Sequence, residues 1–224
     1  MEKITYRLRR QRRKTLVLKI ENGEVVVYAP LKFPTEKVDA FVVSKVDWIR
    51  GKLENFENTK GIIDEINNLN KVLLFGNEYN IELSDLKKTI ELTENKLLVP
   101  KKYSDEKKKM NAVVKYLKNY AIEFLQERLN YYSNLHSINY GELTLTNAKK
   151  KWGSCDWRKD IKLNFRLILL PIDIIDYVIL HELSHTYYLD HSKNFWNTLE
   201  IYCQDPKQMK QKLKQNSHLI ETYR

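Results

Sequence analysis

The stretch IKLNFRLILLPIDIIDYVILHELSH, residues 161–185, decides how this chain is read. Its opening, IKLNFRL (161–167), alternates and predicts a β-strand. Pro171 then suits the first turn of a helix, where its missing N–H leaves no bond unmade. No helix breaker follows before His185, and Ile174, Ile175, Val178 and Ile179 make the segment apolar. The helix so predicted carries His181-Glu182-Leu183-Ser184-His185 at its end.

That pentapeptide has a specific physical meaning. On a helix, positions i and i+4 differ by about forty degrees of rotation and one turn of rise, so both imidazoles face one way. Two nitrogens on one face can share a zinc ion, and Glu182, next to the first ligand, lies within reach of a water at the metal. A purely structural zinc site fills every position with protein ligands, often thiolates. A hydrolytic one leaves room for water and needs a carboxylate to take its proton. His181 and His185 are therefore candidate ligands, Glu182 the candidate catalytic base, and one Zn2+ per chain the expected cofactor.

A third ligand is required. His191 follows in HTYYLDH, but six further steps on a straight helix rotate a side chain by about 240°, away from the first two. The chain must turn between them. Asp190-His191-Ser192 can supply the turn, with Ser192 capping a new helix over KNFWNTLEIY (193–202). The spacing H-E-x-x-H-x5-H equals that of metzincins, although Tyr188 stands at their glycine position. Glu200 is the rival ligand, disfavoured because neutral imidazole suits zinc well. Asp190 or Glu200 could instead orient a ligand. His136 and His218 have no motif around them.

Upstream, a long helix is predicted from about Ser104 to Ser133 by the rhythm of Met110, Val113, Val114, Leu117, Ala121, Phe124, Leu125 and Leu129. LTLTNA (143–148) predicts another strand. The N-terminal part reads as a hairpin over 15–29 around Asn22-Gly23 and a helix over 35–57 with Thr35 as its cap. A loop or short irregular helix over 58–70 follows, then strands over 72–99 turning at Gly76-Asn77 and Glu94-Asn95. The composition changes at Pro100, which places a β-rich region over 1–103 and a catalytic region over 104–224. The class implied is α+β.

The totals set bounds. With 224 residues, the chain can bury a core without disulfides, and Cys155 and Cys203 form no metal-ligand pattern. MEKITYRLRRQRRK lacks the apolar run of a secretory leader, and no segment is apolar and long enough to cross a bilayer. A cytoplasmic protein with no membrane partner is expected. The net charge of +10 is spread along the chain except for one dense cluster, Arg7, Arg9, Arg10, Arg12, Arg13 and Lys14. DNA or a DNA-bound protein is thus a possible partner, and alternating charges on an exposed strand face explain the same residues.

Taken together, WGSC (152–155), IKLNFRLILLP (161–171), DYVILHELSH (176–185) and DHSKNFW (190–196) resemble the YgjP-like metallopeptidases, relatives of the SprT-like and WLM proteases. YRLRRQRRKTLVLKI also looks like that family's opening. The resemblance implies a zincin-type catalytic half, its HExxH helix packed beside a small sheet. It carries over His181, His185 and His191 as zinc ligands and Glu182 as general base. It also puts Trp152, Gly153 and Ser154 on a strand near the cleft, as substrate-binding candidates. A peptide or protein is the substrate so implied, and SprT-like relatives act on DNA-bound proteins.

The expected reaction is peptide hydrolysis, with Glu182 taking a proton from water polarised by zinc. Tyr187, Tyr188, Arg166 and Lys193 are the candidate oxyanion donors. The alternative is a DNA-associated accessory or nucleic-acid-binding protein whose zinc only braces the fold. Glu182 argues against it, because a bracing site needs no carboxylate there.

Overall fold

The computed structural model describes residues 4–21 and 23–223, without the side chains at positions 55, 58, 59 and 62. Two compact units are present, Met1–Ile62 and Ile63–Arg224.

The first unit holds β1 (Arg7–Gln11), β2 (Val17–Glu21), β3 (Glu24–Pro30), α1 (Thr35–Val43) and the start of α2 (Val46–Asn67). The sheet order is β1-β3-β2, with β1 parallel and β2 antiparallel to β3. The expected hairpin is thus β2–β3; its turn residue Asn22 lies outside the described residues. Val25, Val27 and Ala29 alternate onto one face of β3 and pack with Val38, Val42 and Ile49. The single helix expected over 35–57 is two. Ser44 stops α1: its Oγ donates to the Phe41 carbonyl at 2.7 Å, competing with the helix's own bonds. Thr35 does not cap α1, since Pro34 holds the cap position and the Thr35 hydroxyl accepts from Arg10 at 3.0 Å. Beyond Ser44, α2 runs unbroken through the segment expected to be a loop. Local polarity predicted otherwise, but Ile66 is 1% exposed in the core of the second unit, and that burial stabilises a helix whose sequence alone is weak.

The second unit begins with β4 (Lys71–Leu74), β5 (Asn77–Ser84), β6 (Glu91–Leu92) and β7 (Lys96–Pro100), ordered β4-β5-β7-β6. The β4–β5 turn falls at Phe75-Gly76, one residue earlier than expected, both with positive φ (53° and 80°). Gly76 is required there twice over, because a Cβ would also sit 2.9 Å from Pro171 Cγ. Phe75 N–H and Gly76 N–H donate to Ile168 and Leu169 carbonyls at 2.7 and 3.2 Å, tying the turn to the segment ahead of the HExxH helix.

The long helix α3 (Glu106–Leu135) starts at Asp105, whose carboxylate caps Lys108 N–H at 2.9 Å. After it come β8 (Leu143–Thr146), β9 (Gly153–Cys155) and β10 (Ile161–Asn164), a sheet ordered β8-β10-β9. The strand expected over 161–167 stops at Asn164, whose Oδ1 accepts from Arg166 N–H at 3.1 Å and opens a 3-10 turn over Phe165–Leu169. Then follow α4 (Ile172–Ser184), α5 (Lys193–Tyr202) and α6 (Pro206–Gln215). The last was not expected: Asp205 caps Gln208 N–H at 2.9 Å and Pro206 takes the first turn.

One core joins these parts. Val113, Leu117, Ala121, Leu125 and Leu129 of α3 pack with Leu163, Phe165 and Leu167–Leu170, and with Ile174, Ile175, Val178 and Ile179 of α4. Arg128 and Asp176 clamp α3 to α4, Nε to Oδ1 at 2.9 Å. The composition change at Pro100 is not where the compact units divide, because Leu97 and Val99 of β7 enter the same core as α3. No helix among the described residues is long and apolar enough to cross a membrane. The architecture is mixed α+β, with three small sheets among the described residues.

Candidate metal centre

The site is built where α4 ends. Ile174, Ile175, Val178 and Ile179 bury the helix, and His181 and Glu182 fall on its last turn. Two hydroxyls then draw carbonyls out of the helical ladder: Ser184 Oγ donates to Leu180 O and Thr186 Oγ1 to Leu183 O, both at 2.8 Å. Thr186 N–H and Tyr187 N–H bond to Leu183 and Ser184, three residues back, at 3.1 and 3.2 Å. The helix therefore tightens and stops, with His185 as its cap residue. Asp190 Oδ1 accepts from Ser192 N–H at 3.1 Å, making the elbow from which α5 starts.

This elbow returns His191 to the first two histidines. Ligand nitrogens of His181, His185 and His191 lie within 4.8 Å of one another. The Nε2 atoms of His181 and His191 face each other at 3.1 Å. Two ligand nitrogens on a tetrahedral metal ion would stand about 3.3 Å apart, so the spacing has room for one ion to be shared. His185 Nδ1 donates to the Tyr188 carbonyl at 2.8 Å, which leaves Nε2 unprotonated for a metal. His181 Nδ1 is buried without a partner. Fully buried Phe195 is the floor, its ring centre 4.5–4.9 Å from all three imidazoles.

Burial holds His181 and His185 neutral, the form that coordinates metal. Burial, then the neighbouring His185, His191 and Lys210, pushes His181 down to about 3. His185 is lowered mainly by burial. Glu182, 5% exposed, is pushed up to about 8 by burial, partly offset by Lys151. Among the described residues, its Oε2 has no hydrogen-bond partner. A buried carboxylate that serves no structural bond is costly unless something else occupies it.

Gly153 makes room for that carboxylate. A Cβ there would lie 2.6 Å from Glu182 Oε1 and 2.7 Å from its Cγ. The need is space rather than an unusual backbone angle. Of its neighbours, Trp152 is half-buried against the core and Ser154 lies in β9 opposite Lys162. The Cys155 thiol is pushed up to about 12, by burial first and then by Glu182, so it is no nucleophile.

Other candidates separate out. Glu200 is exposed, beside Cys203 and Asp205, and is not in the histidine cluster. Arg166 cannot be an oxyanion donor: it is 3% exposed, with Nε donating to the Thr222 carbonyl at 2.7 Å, and it also bonds Tyr223 O and Asn147. Tyr187, Tyr188 and Lys193 are exposed and stay available. Asn164 escaped sequence reasoning. Fully buried, it donates to the Ala148 and Lys151 carbonyls at 2.8 and 3.1 Å and so fixes the loop entering Gly153. The only sequence signal was an amide at the end of an alternating strand.

No curated protein and no solved structure gives a significant match. The family model for the YgjP-like metallopeptidase domain matches residues 14–216. That span takes in β2 and β3, the three histidines and the whole of α6, and the chain belongs to the YgjP-like metallopeptidase family of metal-dependent hydrolases.

Proposed function

We propose that this chain is a zinc-dependent peptidase of zincin type, with His181, His185 and His191 as metal ligands and Glu182 as general base. The observation that carries the reading is the convergence of three imidazoles beside the buried Glu182 carboxyl group, on the helix turn that carries His181; its Oε2 has no hydrogen-bond partner among the described residues. Three nitrogen donors suit zinc and leave a coordination position free. When bound, zinc would supply Lewis acidity, activating water and polarising the scissile carbonyl.

The protein's own groups do the rest. Glu182, held by burial near neutral pKa, takes the proton of the attacking water and delivers it to the leaving amine. Gly153 leaves its carboxylate free to swing between those two tasks. Phe195 and the apolar end of α4 keep the surroundings dry, which strengthens every charge interaction inside. The Tyr188 carbonyl fixes the tautomer of His185.

The test pairs metal analysis with hydrolysis of a peptide library. Wild type should carry about one zinc per chain. His185→Ala should lose the metal. Glu182→Gln should keep it and lose activity by at least about a hundredfold, the ordinary contribution of a general base. Full peptidase activity in Glu182→Gln would refute the mechanism.

A further inference from the structure

Two lysines from separate segments, Lys151 and Lys210, border the histidine–glutamate centre, and a third, Lys159, stands beyond it at Tyr187. Lys151 lies two residues before Gly153, on the loop that Asn164 holds, and its charge reaches Glu182. Lys210 of α6 sets Nζ 4.7 Å from the Trp196 ring centre, and that ring is 5.9 Å from His191 and 6.3 Å from His181. Lys159 sets Nζ 5.9 Å from the ring of Tyr187, just past the end of α4. All three are exposed, and among the described residues none forms an ion pair. Lys149 and Lys150 add to the same loop. Asp156, Asp160 and Asp190 lie nearby and keep their charge, but they accept from backbone N–H groups and among the described residues none pairs with these lysines: Asp156 accepts from Arg158 and Asp160 N–H, Asp160 from Glu142 N–H, and Asp190 from Ser192 N–H. Unpaired like charges gathered at one mouth repel one another and concentrate anions there.

We infer that this mouth selects acidic substrates, Lys151 and Lys210 receiving Asp or Glu side chains of a peptide beside the bond to be cut, with Lys159 as a further contact. The inference rests on the peptidase reading. Two observations favour an acidic peptide over nucleic acid. Lys151 and Lys210 border the hydrolytic centre, where a cleavable amide brings flanking side chains within their reach. Half of the densest basic cluster, by contrast, is engaged internally: Arg7 pairs with Glu24 at 2.6 Å, Arg9 bonds Tyr28 at 3.2 Å, and Arg10 donates to the Phe33 carbonyl at 2.6 Å.

The test uses zinc-loaded full-length chain and quenched peptides that differ only in carrying Glu, Ala or Lys around the cleavable bond. Glu peptides should exceed Lys peptides in kcat/KM by at least about tenfold, since one exposed ion pair contributes up to about fivefold. In Lys151→Gln/Lys210→Gln that ratio should fall toward one, and in Lys151→Arg/Lys210→Arg it should persist. As a second readout, a fluorescein-labelled Glu-rich peptide should bind the Glu182→Gln chain, more weakly with added salt or with both lysines replaced by Gln. Cleavage without regard to charge would overturn the specificity and leave the peptidase reading standing. If no peptide is cut, the peptidase reading fails, and equal binding of acidic and basic peptides to Glu182→Gln would remove the acidic surface independently. A single-stranded oligonucleotide of equal charge that binds more tightly than the peptide, through the same lysines, would also overturn it.

Discussion

At the scale of single residues, the centre depends on how closely Gly153 and Glu182 approach. Gly153→Ala places a methyl 2.6 Å from Oε1, so the carboxylate must move while the histidines keep their positions. The expected result is unchanged zinc content with kcat reduced by about a hundredfold, the size of a lost general base, read by elemental analysis beside steady-state kinetics. The same carboxylate and His181 give the metal-free chain a distinctive pH dependence. Glu182 titrates near 8 folded against 4.5 unfolded, so the folded state holds the extra proton and loses stability as pH rises from about 6.5 toward 8, where the lowered histidines no longer oppose it. His181 titrates near 3 folded against 6.5 unfolded, so there the unfolded state holds the extra proton and stability falls as pH drops below about 4.5, where Glu182 no longer compensates. Between those limits the two slopes oppose each other. Chelator-treated protein should therefore be most stable between about pH 4.5 and 6.5 in urea titrations. In Glu182→Gln the loss above pH 6.5, about 2 kcal/mol by linkage, should vanish; its persistence would remove Glu182 as the cause.

At the scale of elements, the helix break after Ser184 and the restart at Lys193 are what bring His191 to the centre. His191→Ala is expected to weaken zinc affinity by at least about a hundredfold, more than loss of an outer-sphere partner would. Glu200→Ala should leave it unchanged, as measured by competition with a chromophoric chelator. Equal effects would return Glu200 to the ligand set. The loop before β9 depends in turn on Asn164. Asn164→Ala removes two donated bonds and leaves the Ala148 and Lys151 carbonyls without their amide partner. A loss of about 2–4 kcal/mol in urea unfolding is expected, because buried groups left unmatched carry their desolvation cost.

At the scale of the whole molecule, two apolar cores share no residue: one gathers around β3 and α1, the other around α3 and α4. The metal centre belongs entirely to the second. Chelation should therefore shift the unfolding of the larger unit and spare the smaller one. A ligand at a thousandfold excess over its Kd stabilises by about 4 kcal/mol, roughly 10 °C for a unit of this size. Calorimetry with and without chelator should show one transition moving and the other fixed; a uniform shift would mean that the two units unfold together.

The sequence by itself determined which side chains meet at the candidate centre. His181, Glu182 and His185 are legible because helix geometry converts their spacing directly into a shared direction. His191 required one inference more, that the chain turns at Asp190–Ser192; Ser192 holds the cap position of α5 without a side-chain cap bond, and Asp190 closes the turn instead. The α3 helix was legible for the same reason, since its buried positions repeat at a fixed interval. What only the tertiary structure decided depends on contacts between distant segments. The continuation of α2 through residues 58–67 follows from where Ile66 is buried. The removal of Arg166 from the oxyanion candidates follows from its bonds to the carbonyls of Thr222 and Tyr223. The fit of Gly153 against Glu182, and the gathering of Lys151 and Lys210 around one mouth, depend on how β9, α4 and α6 are brought together. Local patterns report periodicity and caps, whereas burial and charge in a cleft arise only when segments remote in sequence pack against one another.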